Sequence, residues 1–357
     1  MARNFDVVIA GAGPGGSVAA LALAQAGYRV ALLDRGTFPR PKICGNCINP
    51  RAWKVWERLG LTDSIRALPH AQMEGFSLYC KGRLIHRDTI RPPAEGPRAV
   101  ARDVLDDWLR QQAEEAGVEF HGETAVTGVD ASGTVHTTKG DFNGKLILGA
   151  DGRNSVVARN ANLMPPPRRC HRVAWQTTIP VPAELDHHVQ MHLFADGYFG
   201  MCRYNPERAV ISMVLDARRS QNPLAAVRRV LPDLPEQEWL RMNPITRAPA
   251  QLGRDRVWLT GDAARVVEPF TGEGIAFALE TGWMAAQHAH SALESGDWAG
   301  ALRAYGREHG ALYRRRGWVN TLVRMGLTDP GRAVLALEHL KMPKFLFTQL
   351  SQWIHAR

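Results

Sequence analysis

The sequence predicts an α/β protein with two domains and a helical C-terminal segment, and three stretches carry this prediction. Residues 5–34 follow the order strand, turn, helix, strand, which is the βαβ unit of a parallel sheet. Residues 171–215 contain runs of β-branched and aromatic residues separated by turns, a pattern typical of an antiparallel sheet. From Ile275 onward the pattern is helical, so we expect helices to complete the chain.

The first stretch opens with the apolar run Phe5–Ala10, which is typical of a parallel strand covered on both faces. Three glycines follow in the spacing G-x-G-x-x-G: Gly11, Gly13 and Gly16. In a βαβ unit these glycines permit a tight turn, the approach of the backbone to a pyrophosphate, and close packing of helix on strand. The stretch therefore predicts a Rossmann-type dinucleotide site.

The rest of this stretch fits the same site. A helical run over Ala19–Ala26 ends at Gly27, and a second strand over Arg29–Leu33 ends at Asp34. The helix N-terminus presents N–H groups to phosphates, and a carboxylate after the second strand accepts hydrogen bonds from ribose hydroxyls. A plain βαβ unit with incidental glycines is the alternative, which the complete register disfavours. FAD and NAD(P) both fit this stretch when it is taken by itself.

Composition limits the classes of protein. The chain has 357 residues, of which 45% are hydrophobic and 22% are charged, enough to build the cores of two domains. It contains no apolar run of about 18 residues, so we expect no membrane-spanning helix. The N-terminal apolar run leads directly into the glycine turn and does not resemble a signal peptide. The cysteines form no disulfide framework, which predicts a reducing, cytoplasmic location.

The net charge of +9 indicates an anionic partner. Nucleic acid is disfavoured, because the arginines are dispersed and no reader motif is present. An anionic cofactor, or loose attachment to an anionic membrane, explains the charge better. Near the C-terminus, Phe345, Leu346 and Trp353 can share a helical face close to Lys341 and Lys344. This segment can lie on a membrane surface or dock on its own protein, and we favour docking.

The remaining elements are predicted from periodicity and turn residues. We expect strands over Gly75–Tyr79, Val118–Phe120, Thr124–Val129, Val135–Thr138, Lys145–Ala150 and Arg256–Thr260. We expect helices over Trp53–Leu59, from near Val104 to the stop at Gly117, over Pro223–Val230 and over Glu236–Met242.

A second informative stretch, residues 261–275, follows the last of these strands. Gly261 and Asp262 end the strand, and a glycine-rich loop then leads to a helix that begins near Gly274 and Ile275. Such a helix N-terminus suits an electron-rich ring or an anionic group, and Asp262 can bind a sugar or ribityl hydroxyl. The alternative is a strand–loop–helix unit whose glycines serve only as caps.

Four motifs thus occur in a fixed order: GAGPGG with Asp34, PRPKICGNCI, GADGRNSVVAR and GDAARVVEPFTGEGI. The first, third and fourth resemble those of flavoproteins with the p-hydroxybenzoate hydroxylase fold. PRPKICGNCI resembles the P-x-x-K-x-C-G segment of the geranylgeranyl reductase family, and the fourth motif is also similar to one of that family. The resemblance covers residues 1 to roughly 285 and implies a Rossmann-type FAD-binding domain with an antiparallel-sheet substrate domain.

The resemblance implies FAD as the cofactor and NAD(P)H as the reductant. The pyrophosphate would meet the glycine turn, which comprises Gly11, Gly13, Pro14, Gly15 and Gly16. The adenosine would meet Asp34, Arg35 and Val126, and the phosphate region would be reached by Arg102. The ribityl–pyrophosphate portion would meet Asp262, and the flavin ring would lie beside Cys44, Gly45, Gly274 and Ile275. A helix N-terminus there stabilises the negative charge of a reduced flavin. Asp151 would have a structural role or contact the nicotinamide cofactor.

The same resemblance divides the chain. The FAD-binding domain would comprise residues 1–70, 98–168 and 250–325, the substrate domain residues 71–97 and 169–249, and the C-terminal helical segment residues 326–357. The substrate is expected to be an apolar small molecule. The sheet residues that can line its pocket, or else form ordinary core, are Trp175, Met191, Tyr198, Phe199 and Met201.

No catalytic residue is assigned, and three residues are candidates: Cys44, Cys47 and Glu273. The C-x-x-C pair can be a redox dithiol or half of a zinc site. No second metal-binding motif occurs and no histidine has ligand spacing, so no metal is expected. A cytoplasmic location favours a plain thiol over an exchanging disulfide. Glu273 can be an acid near the flavin or a helix cap.

Two reactions fit such an enzyme: hydroxylation of an aromatic or polyketide-like compound, and reduction of an isoprenoid double bond. The geranylgeranyl reductase family carries a segment Y-x-W-x-F-P that GYFGMCRYNP does not match. Because the name of this family is often shared by hydroxylases of polyketide-like compounds, we expect a monooxygenase, with the isoprenoid reductase as the alternative. A flavin halogenase is disfavoured because W-x-W-x-I-P is absent. A non-catalytic dinucleotide-binding sensor is a third interpretation.

Overall fold

The computed structural model describes residues 3–89, 97–130, 132–166, 169–242, 247–267 and 269–328. Within these ranges the strands, numbered along the chain, are β1 Arg3–Ala10, β2 Val30–Leu33, β3 Cys47–Ile48, β4 Ala71–Gln72, β5 Gly75–Cys80, β6 Arg83–Thr89, β7 Arg98–Ala99, β8 Glu119–His121, β9 Val126–Val129, β10 Thr134–Thr137, β11 Gly140–Gly149, β12 Arg172–Pro180, β13 His188–Phe194, β14 Gly197–Arg203, β15 Arg208–Asp216, β16 Leu240–Met242, β17 Gly253–Arg254 and β18 Val257–Leu259. The helices are α1 Pro14–Gln25, α2 Trp53–Arg58, α3 Thr62–Ala67, α4 Arg102–Glu115, α5 Val156–Asn160, α6 Pro223–Val227, α7 Gly261–Ala264, α8 Gly274–Ser295 and α9 Trp298–Thr328.

The first sheet is built around β1. Its strand order is β17-β18-β11-β1-β2-β8, and β9 and β10 extend it beside β11. Strand β1 pairs in parallel with both β2 and β11, and β18 pairs in parallel with β11. Val7, Val8, Ile9 and Ala10 have no exposed surface, as expected for a parallel strand with helices on its faces. The carboxyl ends of β1, β2, β11 and β18 therefore meet at one edge of the sheet.

Helix α1 packs closely against both the glycine turn before it and helix α8. A Cβ on Gly16 would lie 1.9 Å from the carbonyl oxygen of Gly11, so only glycine fits where α1 meets the turn. A Cβ on Gly282, inside α8, would lie 2.3 Å from the carbonyl oxygen of Gly15. Because glycine is present at both positions, α1 can contact both the turn and α8 directly, and these contacts fix the position of the turn.

The second sheet has the strand order β16-β12-β15-β14-β13-β5-β6. Its pairs are antiparallel except for β13 with β5, which is parallel. The expectation of an antiparallel sheet over residues 171–215 is confirmed. A third, small sheet has the order β3-β7-β4. The division into domains at the predicted boundaries stays a prediction.

The predicted helix over Glu236–Met242 is wrong. The chain is irregular before Leu240 and then forms β16, in which Leu240 and Met242 pair with Gln176 and Ala174 of β12. The apolar spacing of this short run fits a helix, but pairing with a distant strand decides its structure. The other predicted helices of the described residues are present, although α6 ends at Val227.

The long helix α9 completes the described part of the chain. The hydroxyl of Tyr305 donates a hydrogen bond of 2.9 Å to the carbonyl oxygen of Leu259. The Tyr305 ring stacks on Trp258 of β18, with 6.0 Å between the ring centroids. Burial of Tyr305 raises the pKa of its phenol, so the hydroxyl stays a donor.

Residues 329–357, to which the membrane or docking interpretation of the C-terminal segment applies, lie outside the described residues. Among the helices that are described, none is long and apolar enough to span a bilayer.

The contact between α1 and α8 gives a testable prediction. Gly282→Ala places a methyl group against the Gly15 carbonyl, so we expect the free energy of unfolding to fall by about 1–3 kcal/mol. Gly306→Ala is the matched control, because a Cβ there would meet no atom within 4 Å in α9. Replacing that helical glycine should raise the free energy of unfolding by about 0.5–1 kcal/mol. Urea denaturation of both variants measures the difference. Equal effects would show that α1 and α8 are not in tight contact.

Candidate active site

A single cavity of about 1090 Å³ connects the carboxyl edge of the first sheet with the second sheet. At one end its wall includes Gly13, Asp34 and Asp262, and at the other end it includes Met191 and Tyr198. Thirteen of the fourteen predicted FAD-binding residues lie in this wall, all except Gly16, and this does not by itself test their roles. The cavity thus joins a polar end, built by the glycine turn, to an apolar end, built by the second sheet.

The glycine turn fits a pyrophosphate. Gly11 has φ +103°, and a Cβ there would lie 2.5 Å from the carbonyl oxygen of Ala150, so the turn requires glycine. A Cβ on Gly13 would instead meet no atom within 4 Å, which leaves open space on the cavity side. Helix α1 begins at Pro14, with Gly13 as its N-cap and no side chain capping it. Its first N–H groups are therefore available to an anion that approaches Gly13 closely.

Asp34 ties the glycine turn to the loop that follows β2. It is 6% exposed, and its carboxylate accepts hydrogen bonds from the backbone N–H groups of Ala12 at 2.9 Å and Gly36 at 2.8 Å. The guanidinium of Arg40 donates a third at 3.0 Å. The carboxylate therefore organises the cavity wall, and its predicted contact with a ribose stays a prediction. Arg35 is exposed beside it.

Arg102 is held rigidly at the polar end. It makes two hydrogen bonds of 2.8 Å, from Nε and Nη2, to the two carboxylate oxygens of the fully buried Asp106. Burial disfavours the charged guanidinium, but the Asp106 carboxylate outweighs it and raises the pKa of Arg102, so the group stays charged. Such a two-point pair on one helix fixes the guanidinium in place.

Further positive charge surrounds Arg102. Lys42 is exposed to the cavity, yet the surrounding protein lowers the pKa of its ammonium by desolvation, and the charges of Arg102 and Arg40 lower it further. Burial also lowers the pKa of Arg153, which lies in the same wall. Several cations close together raise one another's electrostatic energy, and an anion between them relieves it. The polar end therefore suits a phosphate-bearing ligand.

Arg247 is a site residue that the sequence motifs do not mark. Its guanidinium donates to the backbone carbonyl oxygens of Arg153 at 3.0 Å and Asp262 at 2.6 Å, and also to that of Ala263. It thereby joins the loop after β11 to α7.

Asp151 has a structural role here, since its Oδ2 accepts hydrogen bonds from the backbone N–H groups of Val156, at 2.6 Å, and Val157.

The apolar end is formed by one face of the second sheet. The residues of this face that pack together in the cavity wall are Leu78, Met191, Leu193, Tyr198 and Val214. Trp175 and Met201 also border the cavity, but they pack in the hydrophobic cluster of the opposite face. Phe199 lies on the opposite face, where its ring stacks on those of His192 and Phe194, with centroid distances of 4.7 Å and 5.9 Å. Burial lowers the pKa of His192 to about 4, so its imidazole is neutral and contributes to the packing of this face. His86 does line the cavity, and its Nε2 lies 3.7 Å from Asp88 Oδ2.

The two candidate cysteines lie where the polar and apolar ends meet. The N–H of Cys44 donates to Gln176 Oε1 at 2.5 Å, and its carbonyl oxygen accepts from the Ser212 hydroxyl at 3.0 Å. The loop is thereby fastened to β12 and β15 of the second sheet. The Sγ atom of Cys47 lies 3.6 Å from that of Cys202 on β14, a neighbour that the C-x-x-C spacing does not reveal.

Glu273 stands immediately before α8, and its side chain is 1% exposed. It is the N-cap residue of α8 and makes no side-chain capping hydrogen bond to this helix, and its role as an acid or as a cap stays a prediction. The described cavity wall includes Gly274 and Ile275, the first residues of α8, but not Glu273. In the described residues no group of three histidine, cysteine or acidic side chains is placed to hold a metal ion.

Fold and cavity together define a class, the FAD-dependent oxidoreductases, and comparison with known proteins agrees. Residues 4–295 match the family model described as FAD binding domain. The chain belongs to this FAD-binding family and, within it, to the flavoprotein oxidoreductases of the geranylgeranyl reductase family. The resemblance carried by the four motifs is thereby confirmed.

Three relatives illustrate this membership. Menaquinone reductase of Mycolicibacterium smegmatis is 30% identical over 323 residues, which cover 80% of this chain and 76% of that protein. Geranylgeranyl diphosphate reductase of Rhodobacter capsulatus is 30% identical over 339 residues, which cover 87% of this chain and 82% of that protein. Digeranylgeranylglycerophospholipid reductase 2 of Methanopyrus kandleri is 29% identical over 332 residues, covering 82% and 79%.

Solved structures show the same fold. Pseudomonas aeruginosa PqsL in complex with 2-aminobenzoylacetate superposes with a TM-score of 0.77 at 19% identity, covering 94% of this chain and 100% of that one. A geranylgeranyl bacteriochlorophyll reductase-like protein from Thermoplasma acidophilum superposes with a TM-score of 0.75 at 20% identity, covering 100% and 93%. At this level of identity the likeness concerns the fold alone. The predicted fold, similar to that of p-hydroxybenzoate hydroxylase, is confirmed.

The glycine turn yields a prediction about FAD. Gly13→Val fills the open space next to the α1 N-terminus, so we expect the Kd for FAD to rise about tenfold or more, a loss of about 1.4 kcal/mol. Gly306→Val makes the same change in an open position of α9, away from the cavity, and should leave the Kd unchanged. Fluorescence titration of the apoproteins gives both constants, and circular dichroism checks that each is folded. Wild-type affinity in Gly13→Val would place the pyrophosphate elsewhere.

Proposed function

We propose that this enzyme reduces carbon–carbon double bonds in the isoprenoid chain of a lipid, with FAD as cofactor and NAD(P)H as reductant. The observation that supports this most is the cavity, whose polar end fits FAD and continues without a barrier into the apolar end on the second sheet. The relatives at 29–30% identity are reductases named for menaquinone and for geranylgeranyl compounds. Both kinds of compound carry isoprenoid chains.

The apolar end is suited to such a chain. Leu78, Met191, Leu193 and Val214 present aliphatic surface from three strands of one sheet, β5, β13 and β15. An isoprenoid chain has no hydrogen-bonding groups, so burial of its surface at roughly 25 cal/mol per Å² is what holds it. The edge-on contact of Tyr198 with Phe270, at 5.2 Å between ring centroids, joins this face to the segment that precedes α8.

Reduction of a double bond adds a hydride to one carbon and a proton to the other. Bound FAD supplies the hydride. The side chains of the protein must hold the double bond against the cofactor, exclude water and provide the proton. Tyr198 and His86 are protic side chains in the cavity wall beside the apolar surface, and we propose them as candidates for the proton donor.

NAD(P)H is expected to use the same cavity. Lys42 and Arg153 lie in the wall beyond the glycine turn and supply positive charge for a second phosphate-bearing ligand. No second G-x-G-x-x-G segment follows Gly16 in the chain, so a separate nucleotide fold for NAD(P)H is not expected.

Hydroxylation is the second candidate, and one observation favours it. The segment GYFGMCRYNP, which contains the whole of β14, lacks the Y-x-W-x-F-P pattern of the geranylgeranyl reductase family. The likeness to PqsL adds only the fold. Relatives named as reductases cover most of this chain, so we now place reduction first and the monooxygenase second. The non-catalytic sensor is not retained, because the family consists of enzymes.

Product analysis under anaerobic conditions separates the two reactions. The purified holoenzyme is incubated with NADPH and either a menaquinone or a geranylgeranyl lipid, with and without oxygen. We expect a product heavier by two hydrogens, formed at the same rate without oxygen, because no oxygen atom enters the reduction. Dithionite can replace NADPH to bypass the nicotinamide site. A product that gains one oxygen and forms only in air would establish the hydroxylase instead.

The substrate wall gives a further prediction. Met191→Trp fills part of the apolar end, so we expect kcat/KM for a long isoprenoid substrate to fall by about tenfold or more. Leu84→Trp is the matched control, because Leu84 is 47% exposed on β6 of the same sheet. It should leave kcat/KM unchanged. FAD content is measured in both variants. An equal loss in the two would indicate damage to the sheet rather than a blocked pocket.

A further inference from the structure

Two thiols from distant parts of the sequence meet in the cavity wall. Cys47 lies on β3 and Cys202 lies on β14 of the second sheet, and their Sγ atoms are 3.6 Å apart. Both thiols donate to the same acceptor, the carbonyl oxygen of Gly45, each at 3.2 Å. The pair therefore joins the cysteine loop, residues 42–47, to β14 in the middle of the second sheet.

The surroundings of the pair favour thiol chemistry over metal binding. Met73, Ala99 and Val210 pack around Cys202, and Cys47 contacts the same cluster. No third metal ligand stands with the two sulfurs in the described part of the chain. The adjacent Cys202 thiol, together with burial, raises the pKa of the Cys47 thiol, so the pair is a protonated dithiol under reducing conditions. Both residues line the cavity, and Cys47 is partly exposed whereas Cys202 is buried, so a small oxidant in the cavity approaches the pair from the Cys47 side.

We propose that Cys47 and Cys202 form a reversible disulfide when a peroxide enters the cavity, and that this bond locks the cysteine loop onto β14. The two sulfurs must approach by about 1.5 Å to reach a normal S–S distance of roughly 2.05 Å, which rotation of the two side chains can provide. Cys47 thus has a thiol partner on another sheet, in addition to the one that the C-x-x-C motif suggests.

The chemistry balances with hydrogen peroxide as the oxidant. One cysteine sulfur, as thiolate, attacks a peroxide oxygen, the O–O bond breaks, and hydroxide leaves and takes up the thiol proton as water. The second thiol then attacks the resulting sulfenic sulfur, the S–O bond breaks, and a second water leaves with the remaining proton. Two thiols lose two electrons in total, and one peroxide is reduced to two waters. A dithiol reductant such as dithiothreitol reverses the step.

The bond has a structural consequence. The Gly45 carbonyl loses both of its S–H donors, and the loop can no longer move apart from the second sheet. Cys44, three positions before Cys47, is already hydrogen-bonded to β12 and β15, so the oxidised loop is fastened to three neighbouring strands. We expect passage of substrate through this wall to slow, and turnover to fall at least about fivefold.

Peptide mapping tests the pairing independently of any activity. The full-length holoenzyme is treated with hydrogen peroxide, its free thiols are alkylated, and its peptides are separated without reduction. We expect a Cys47–Cys202 crosslink and the loss of two of the five thiols, both reversed by dithiothreitol. Cys170→Ser, the control, should keep the crosslink. A Cys44–Cys47 crosslink, or irreversible oxidation with no crosslink, would overturn the proposal.

Turnover and thermal melting test the locking. The oxidised wild type should lose activity and melt at a higher temperature, and dithiothreitol should restore both values. Cys202→Ser, compared before and after the same treatment, should change neither. An equal loss of activity in that variant would assign the effect to another residue. If Cys202→Ser does not fold, Cys202→Ala takes its place, and the wild-type crosslink map still decides the pairing.

Discussion

The close contact of the glycine turn with its neighbours is the constraint on which the rest of the structure depends. The turn lies against Ala150 after β11, α1 lies against the turn, and α8 lies against Gly15. Each contact is backbone to backbone, at distances that a single methyl group would violate. The start of α1 is therefore fixed relative to α8, and the two helix N-termini that border the cavity have a fixed separation.

Hydrogen bonds and ion pairs within the protein hold the rest of the cavity wall in place. Asp34 holds the loop after β2, and Arg102 is held by Asp106. Arg247 joins the loop after β11 to α7 through backbone carbonyl groups. These interactions are internal, so the wall has its shape before any ligand enters. A preorganised wall loses little conformational freedom when it binds a cofactor.

Sequence reasoning succeeded where the physical cause is local. The spacing Gly11, Gly13, Gly16 dictates a turn and a helix within a few residues, and the structure has both. It failed at residues 236–242, where pairing with β12 decides the conformation. It also missed Arg247, Gly282 and Cys202, because their partners lie far along the chain. A glycine in the middle of a helix, such as Gly282, is a weak signal of close packing that could have been used.

The cysteine loop belongs to both ends of the cavity at once. It lines the cavity where the polar and apolar ends meet, and it is hydrogen-bonded to Gln176 and Ser212 of the second sheet, where we propose that the substrate binds. Any ligand that stiffens this loop reduces the entropy that the second ligand must still remove. By thermodynamic reciprocity, if bound FAD tightens the binding of substrate, substrate tightens the binding of FAD by the same factor. A substitution in this loop should therefore change the two affinities together, even where it contacts only one of the ligands.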